Sequence, residues 1–371
     1  MPGRGDPVLI VALSARALAA SAAAAGFRPV ALDAFGDLDL REVAVAWARI
    51  PVGADWRLSR AALLAAARTL APPTCPLVYG SGFERDPATL AALARGRPLW
   101  GTPPERLRRA KDPFHLARVC RRLGLPHPEV RRTPPADPAG WLVKRRGAAG
   151  GAHVRPAAGA RPRPDRYFQR RMPGRPCSVL VAGDGRRARA LGFAWQRTRP
   201  GGFRFRGVTV PRAPPRGSER LFAAAETLAA ALGLVGLGSV DFLRHGTRFW
   251  VLELNPRPTA ALDAFETACD LRLFPLHLAA CRGRLPTVLR PRRAAASEIV
   301  FAPTTLRLPD EFRWPEGCRD RTPPGTPVPA GAPLCTLLAT GPDAAAAEED
   351  LERRRAALYR GIAARVPHDE P

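Results

Sequence analysis

In the first hundred residues short apolar runs alternate with alanine-rich stretches of helical period, which predicts a parallel α/β opening. Residues 8–13 (VLIVAL) read as a buried strand, 15–25 as a helix closed by Gly26, and 29–32 as a second strand ending at Asp33. The run at 77–79 leads into Gly80-Ser81-Gly82 and a helix around 88–95. Loops at the strand ends of an open parallel sheet are natural ligand positions, so Ser81 and Gly82 are candidate substrate contacts. A plain tight turn is the alternative for the two glycines.

Residues 103–123 predict a basic helix stopped by Gly124 and Pro126. Asp112-Pro113 marks a break inside it, because proline cannot donate to the preceding turn yet suits the first turn of a new helix. Residues 131–140 are Pro-rich linker or hairpin material. Short strands follow at 141–144, 154–156, 167–170, 178–182 and 188–196, then a helix over 217–232 and a hairpin of 240–243 with 248–254 about Gly246. From about 286 the chain is Pro-rich and strand-like, ending in a charged helix near 344–364. No internal repeat is visible.

At 371 residues and 46% hydrophobic content, the chain is long enough for two or three packed units. The formal charge of +25 would ordinarily point to nucleic acid or an anionic membrane. Here the excess is spread along the chain rather than gathered into a stripe interleaved with aromatics, which argues against a nucleic-acid partner. No run approaches the ~20 apolar residues of a membrane span. Seven cysteines without a CxxC, and without histidines at zinc-ligand spacing, fit a reduced cytoplasm. The N-terminus imitates a secretory leader, but its apolar run is short and flanked by Asp6 and Arg16, so a cytoplasmic protein is expected.

Only two of the 58 basic residues are lysines, Lys111 and Lys144, and Asn255 is the single asparagine. Such a bias, typical of GC-rich coding, replaces Lys by Arg wherever a bare positive charge suffices; a retained Lys marks a place where a compact ammonium is wanted. Lys144 ends a strand and runs into Arg145-Arg146-Gly147-Ala148-Ala149-Gly150-Gly151, a glycine-rich loop whose amides could approach phosphate oxygens. It is neither a Walker loop nor a dinucleotide fingerprint, and a flexible hairpin is the alternative. In the 240–254 hairpin, Glu253 and Asn255 are two apart and share a face of an extended strand, while Asp241 can sit opposite them. Two carboxylates and an amide oxygen are hard donors that suit Mg²⁺. The alternative is a half-buried hairpin with a solvated acidic face. Arg257 is two residues further on and joins that face if the strand continues to it.

Lys144 with its glycine loop, the segment Tyr167-Phe168-Gln169-Arg170-Arg171-Met172-Pro173-Gly174, and Asp241 followed by Glu253-Leu254-Asn255-Pro256-Arg257 together resemble the ATP-grasp superfamily over roughly 105–285. The resemblance implies a mixed α/β and α+β protein. An N-terminal open parallel α/β domain (1–104) would precede a small grasp subdomain with the glycine loop (105–170), a metal-binding subdomain (171–285) and a C-terminal extension (286–371). It implies ATP and Mg²⁺ as cofactors. Lys111, Lys144, Gly147, Gly150, Gly151 and Gln169 would hold the nucleotide, and Asp241, Glu253 and Asn255 the metal. Family members often have Glu where Gln169 stands and an acidic ribose contact near Pro176-Cys177, and this chain departs from both.

Such enzymes phosphorylate a carboxylate with ATP, and an amine or other nucleophile then attacks the acyl phosphate. By this resemblance Arg257 steadies the transferred phosphoryl or the substrate carboxylate, a salt bridge to Glu253 being its alternative. Thr259 would touch substrate or cap the following helix. The implied partners are a small-molecule carboxylate and an amine, and many relatives are homodimers. Asn255-Pro256-Arg257-Pro258-Thr259 and the segment from Trp314 to Thr336 are similar to proteins of methanofuran and tetrahydromethanopterin cofactor biosynthesis, including the tyramine-glutamate ligase type. The competing readings are an ATP-grasp kinase or carboxylase and a non-catalytic basic nucleic-acid-binding protein. The composition supplies its own test. Lys144→Arg, an exchange the chain accepts elsewhere, is expected to weaken ATP turnover sharply, and Asn255→Ala to weaken magnesium binding; both are checked by steady-state ATPase rates at varied metal.

Overall fold

The computed structural model describes residues 5–53 and 55–364. The N-terminal unit contains β1 (Pro7–Val11), α1 (Arg16–Ala24), β2 (Arg28–Asp33), α2 (Leu38–Val43), β3 (Ala46–Arg49), α3 (Arg60–Leu70), β4 (Leu77–Tyr79) and α4 (Pro87–Leu93). Its strands form a parallel sheet in the order β3-β2-β1-β4. The apolar run that imitates a leader is therefore an inner strand, with Val8 to Val11 fully buried. A strand covered on both faces is apolar throughout rather than alternating. The sequence reading left residues 34–76 unassigned, and α2, β3 and α3 lie there. α2 and β3 are too short to establish a period, and alanine makes up much of the inner face of α3.

The basic segment splits as its Asp-Pro step predicts. α5 (Pro104–Ala110) ends at Lys111, and α6 (Pro113–Arg122) begins where Asp112 accepts from Phe114 N at 2.8 Å and His115 N at 3.0 Å. The break places Lys111 between two helix ends with its side chain free to leave the helical surface.

A small antiparallel sheet follows, in the order β5-β8-β6-β7, from β5 (Val130–Arg131), β6 (Trp141–Arg145), β7 (Arg155–Pro156) and β8 (Arg166–Arg170). Trp141, Val143, Ala157 and Phe168 are its own core. The larger antiparallel sheet takes in β9 (Arg175–Asp184), β10 (Ala188–Thr198), β11 (Phe205–Val210), β12 (Val235–His245) and β13 (Arg248–Asn255), with α7 (Glu219–Ala231), α8 (Leu262–Cys269) and α9 (Phe274–Cys281) on its faces. β14 (Ala294–Phe301), β16 (Cys318–Arg319) and β18 (Pro333–Gly341) continue the same sheet, which runs β13-β12-β9-β10-β11-β14-β18-β16. β15 (Leu306–Arg307) pairs with β17 (Pro327–Val328), and α10 (Ala344–Ala363) packs on β14 and β18.

β9 shows why the sheet needs both layers. Val179 and Val181 enter the core under α6 and α7, while Leu180 and Ala182 enter the core shared with α1, α8 and α9. The second core also contains Val8 and Ile10 of the parallel sheet, so the N-terminal unit and the large sheet share one apolar seam. No helix among the described residues is long and apolar enough to cross a membrane.

His277 pins that seam. Its Nδ1 accepts from Leu237 N at 3.0 Å and its Nε2–H donates to Trp100 O at 3.1 Å, so the neutral ring is the form that fits both partners. Gly236 allows the approach, since a Cβ there would lie 2.4 Å from His277 Cε1. Burial pushes the imidazole down to about 4. The unfolded chain, with histidines near ~6.5, therefore binds more protons than the folded one between those values, and stability falls as pH is lowered through that window. Thermal midpoints measured from pH 8 to pH 4 should show this loss. His277→Gln should be less stable at neutral pH by about 1–3 kcal/mol, yet have a shallower slope from pH 6.5 to 4.

Candidate active site

β12 and β13 meet in antiparallel register with Asp241 opposite Glu253 and Ser239 opposite Asn255. Directly opposed residues share a face, so all four side chains project together. A bulge after Asp241 leaves Leu252 as the extra residue and ends the regular alternation. Asn255 Nδ2 donates to Asp241 Oδ2 at 3.1 Å, and Lys111 Nζ donates to Glu253 Oε2 at 2.7 Å and Asn255 Oδ1 at 2.9 Å. An ammonium thus holds the two oxygens expected of a metal set.

Charge is divided unevenly. Burial and the neighbouring Glu253 carboxylate push Asp241 above the usual carboxylate range. Burial would also raise Glu253, but Lys111, by charge and hydrogen bond, and then Lys144 and Arg257 outweigh it and hold Glu253 low. Lys144 has no such close partner: desolvation lowers its affinity for a proton, and Glu253 and Asp241 oppose that only in part. Among the described residues no three His, Cys, Asp or Glu side chains converge into a metal site complete in itself. Two carboxylates and an amide leave coordination places for water and phosphate, as Mg²⁺ prefers.

The glycine loop joins β6 to β7; Gly150 is required by its conformation (φ +73°), and Gly147 and Gly151 by contact as well. Gly147 (φ +64°) lies where a Cβ would be 2.6 Å from Glu84 O, and Gly151 (φ +70°) where one would be 1.9 Å from Phe203 O. Gly150 O accepts from Phe205 N at 2.9 Å. The loop therefore touches both the N-terminal unit and the turn between β10 and β11.

Arg257 does not continue the strand face. β13 stops at Asn255, the chain turns at Pro256, and the Arg257 guanidinium pairs with Glu84 (Nε to Oε1 2.7 Å) and donates to Pro258 O at 3.2 Å. The alternative of a bridge to Glu253 is thereby corrected, because the turn directs the side chain to the N-terminal loop. Glu84 also accepts from Gly82 N at 2.8 Å; burial would raise its carboxyl, but Arg257 and then Lys111 hold it below the usual carboxylate range. Thr259 does not cap α8 with its side chain: the cap position is Ala261, and only the Thr259 carbonyl serves the helix, accepting from Leu262 N at 3.1 Å. Cys177 is fully buried in the core, leaving Pro176 as the member of that pair which borders the open space.

One cavity of about 1120 Å³ lies between the small sheet, the large sheet and the N-terminal loops. Lys111, Lys144, Gly147, Gly150, Gly151, Gln169, Asp241, Glu253, Asn255, Arg257, Ser81, Gly82 and Thr259 all line it. Sequence reasoning missed Glu84, which no periodicity distinguishes, and Gln196 of β10, which lines the same cavity and favours the ionised form of Asp241. It also missed Asp37 and Asp263, which come to line the same cavity only through the tertiary fold.

Residues 110–261 match the family model of the ATP-grasp domain. The chain resembles solved structures over almost its whole length. Biotin carboxylase from Campylobacter jejuni is 16% identical with a TM-score of 0.74, over 93% of this chain and 90% of that one. N5-carboxyaminoimidazole synthetase from Staphylococcus aureus is 14% identical with a TM-score of 0.69, over 96% and 98%. The biotin carboxylase domain dimer of Hydrogenobacter thermophilus 2-oxoglutarate carboxylase, in complex with MgADP, ADP and bicarbonate, is 14% identical with a TM-score of 0.72, over 93% and 89%. The chain has the ATP-grasp superfamily fold. No curated protein matches it in sequence.

The Glu84–Arg257 pair gives a stability test. Its side chains are 4% and 8% exposed, so removing one partner strands a buried charge. Glu84→Gln should cost about 3–5 kcal/mol in urea unfolding. The double variant with Arg257→Gln should cost less than the two single losses combined.

Proposed function

We propose that the chain is an ATP-dependent ligase that activates a small-molecule carboxylate as an acyl phosphate for attack by an amine, releasing ADP. The observation that supports this reading above others is that the two lysines, the glycine loop and the oxygen set of Asp241, Glu253 and Asn255 border one cleft. In this reading Gln169 lies along the nucleotide, Lys144 and the amides of Gly147, Gly150 and Gly151 bind its phosphates, and Asp241, Glu253 and Asn255 hold magnesium. Magnesium held there would offset the negative charge of the phosphates. Lys111 acts as an internal cation on Glu253 and Asn255 and must give up part of that contact to reach phosphate.

Arg257, held by Glu84 at the rim of the substrate loops, steadies the carboxylate or the moving phosphoryl group. Because charge shifts little by little onto oxygens in phosphoryl transfer, fixed cations already aimed at the site lower the barrier without reorganisation. Ser81, Gly82 and Thr259 are the proposed substrate contacts. Similarity of the tail to proteins of one-carbon cofactor biosynthesis supports a place in methanofuran or tetrahydromethanopterin synthesis. A cytoplasmic homodimer is the matching assembly, one of the similar structures being described as a dimer.

A second reading, a carboxylase acting on bicarbonate, is favoured by the likeness to biotin carboxylase and to a carboxylase domain solved with bicarbonate. One assay separates them. ADP release is measured against a panel of carboxylates including bicarbonate, with and without amines. Amine-dependent formation of an amide with stoichiometric ADP is expected. ADP release that needs bicarbonate alone, or a stable phosphorylated product without amine, would reject ligation.

A further inference from the structure

Where the N-terminal unit faces the C-terminal segment, this strongly basic chain gathers carboxylates. Arg16, buried at the start of α1, donates through Nη1 to Asp263 Oδ1 at 2.9 Å and through Nε to Asp320 Oδ1 at 2.9 Å, and its Nε lies 3.4 Å from Asp39. Asp39 is further satisfied by the amides of Asp320 and Arg321 at 3.0 and 2.9 Å, and Asp33 by those of Ala15, Phe35 and Gly36. Arg321 lies 3.8 Å from Asp39 and spends its charge on exposed Glu42. Every carboxylate of this group has found a partner except one.

That one is Asp37. It is 3% exposed, lines the same cavity as the lysines and the oxygen set, and its Oδ2 is buried with no hydrogen-bond partner. It stands at the N-cap of α2, where an aspartate ordinarily accepts from first-turn amides, and it makes no such bond. A buried carboxylate left unpaired is costly, and it borders open space that a ligand can enter. Desolvation, then Asp320, Asp33 and Asp39, push its carboxyl well above the usual range against the pull of Arg16, so the potential around it is negative. Phe35 and Trp56 stand in the same cavity wall with ring centroids 6.0 Å apart, and Trp56 holds a left-handed φ of +61° while remaining 44% exposed. Aromatic faces beside a carboxylate favour a cation that carries an apolar body.

We propose that the recess lined by Asp37, Asp263, Asp320, Phe35 and Trp56 binds the ammonium group of the amine substrate. This rests on the ligase reading for the identity of the amine as a substrate, but the recess is a cation site on its own geometry. It assigns amine recognition to the N-terminal unit.

The test is calorimetric titration of the full chain with aliphatic, aromatic and α-amino acid primary amines, each compared with its N-acetylated form. At least one primary amine should bind wild type at least tenfold more tightly than its N-acetyl counterpart, and Asp37→Asn should remove at least tenfold of that affinity. No binding by any amine, equal binding of the acetylated forms, or unchanged amine affinity in Asp37→Asn would overturn the proposal. The wild-type comparison stands even if the variant folds poorly. Binding of a nonhydrolysable ATP analogue and carboxylate-dependent ADP release are followed on the same wild-type protein. Their absence strikes the ligase reading, whereas their presence with indifference to amines strikes the recess alone.

Discussion

Lys111 Nζ sits between Glu253 Oε2 and Asn255 Oδ1, and that ion pair ties the break between α5 and α6 to the β12–β13 hairpin at the centre of the cleft. Lys111 can reach the sheet only because the helix breaks at Asp112-Pro113. Glu253 can receive it only because Asp241, directly across the rung, is the carboxyl that tends to keep its proton. Like charges one rung apart would repel; uneven protonation and two nearby ammonium groups make the arrangement tolerable in a partly dry site. A site built this way stores negative potential for a cation and positive potential for phosphate within a few side chains of each other.

The Glu84–Arg257 pair carries that arrangement across to the N-terminal unit. Glu84 lies in the loop after β4, Arg257 just past β13, and Gly147 of the glycine loop packs on the Glu84 backbone. Three pieces of chain far apart in sequence therefore meet at one buried carboxylate. A shift in any of them moves the glycine loop, which couples its position to the seating of the N-terminal unit.

Much of this was legible in the order of residues. The hairpin spacing of Asp241, Glu253 and Asn255 is a local property of extended chain, and the Asp-Pro break is a local property of proline, so both could be read without tertiary information. The rarity of Lys and Asn pointed to Lys111 and Asn255, which are hydrogen-bonded to each other, and to Lys144, which lines the same cavity. Arg257 shows the limit: its side chain would have joined the strand face had the strand continued, but a turn at Pro256 sent it to Glu84, 173 positions earlier in the chain. The acidic group around Arg16 was invisible for the same reason. Its members come from α1, the loop before α2, α8 and the segment before β18, and no spacing rule relates them.

The C-terminal strands have a consequence for how the molecule can be divided. β14 pairs along β11 and β18 along β14, so the C-terminal segment supplies the last three strands at one end of the large sheet rather than hanging from it. A chain cut before residue 294 would present β11 as a naked edge, with Thr209 and Val210 unpaired and an adhesive row of amides and carbonyls exposed to other molecules. Fragments carrying both lysines, the glycine loop and the β12–β13 hairpin would for that reason be expected to clump, and fusion partners or tags belong beyond α10 rather than in place of it.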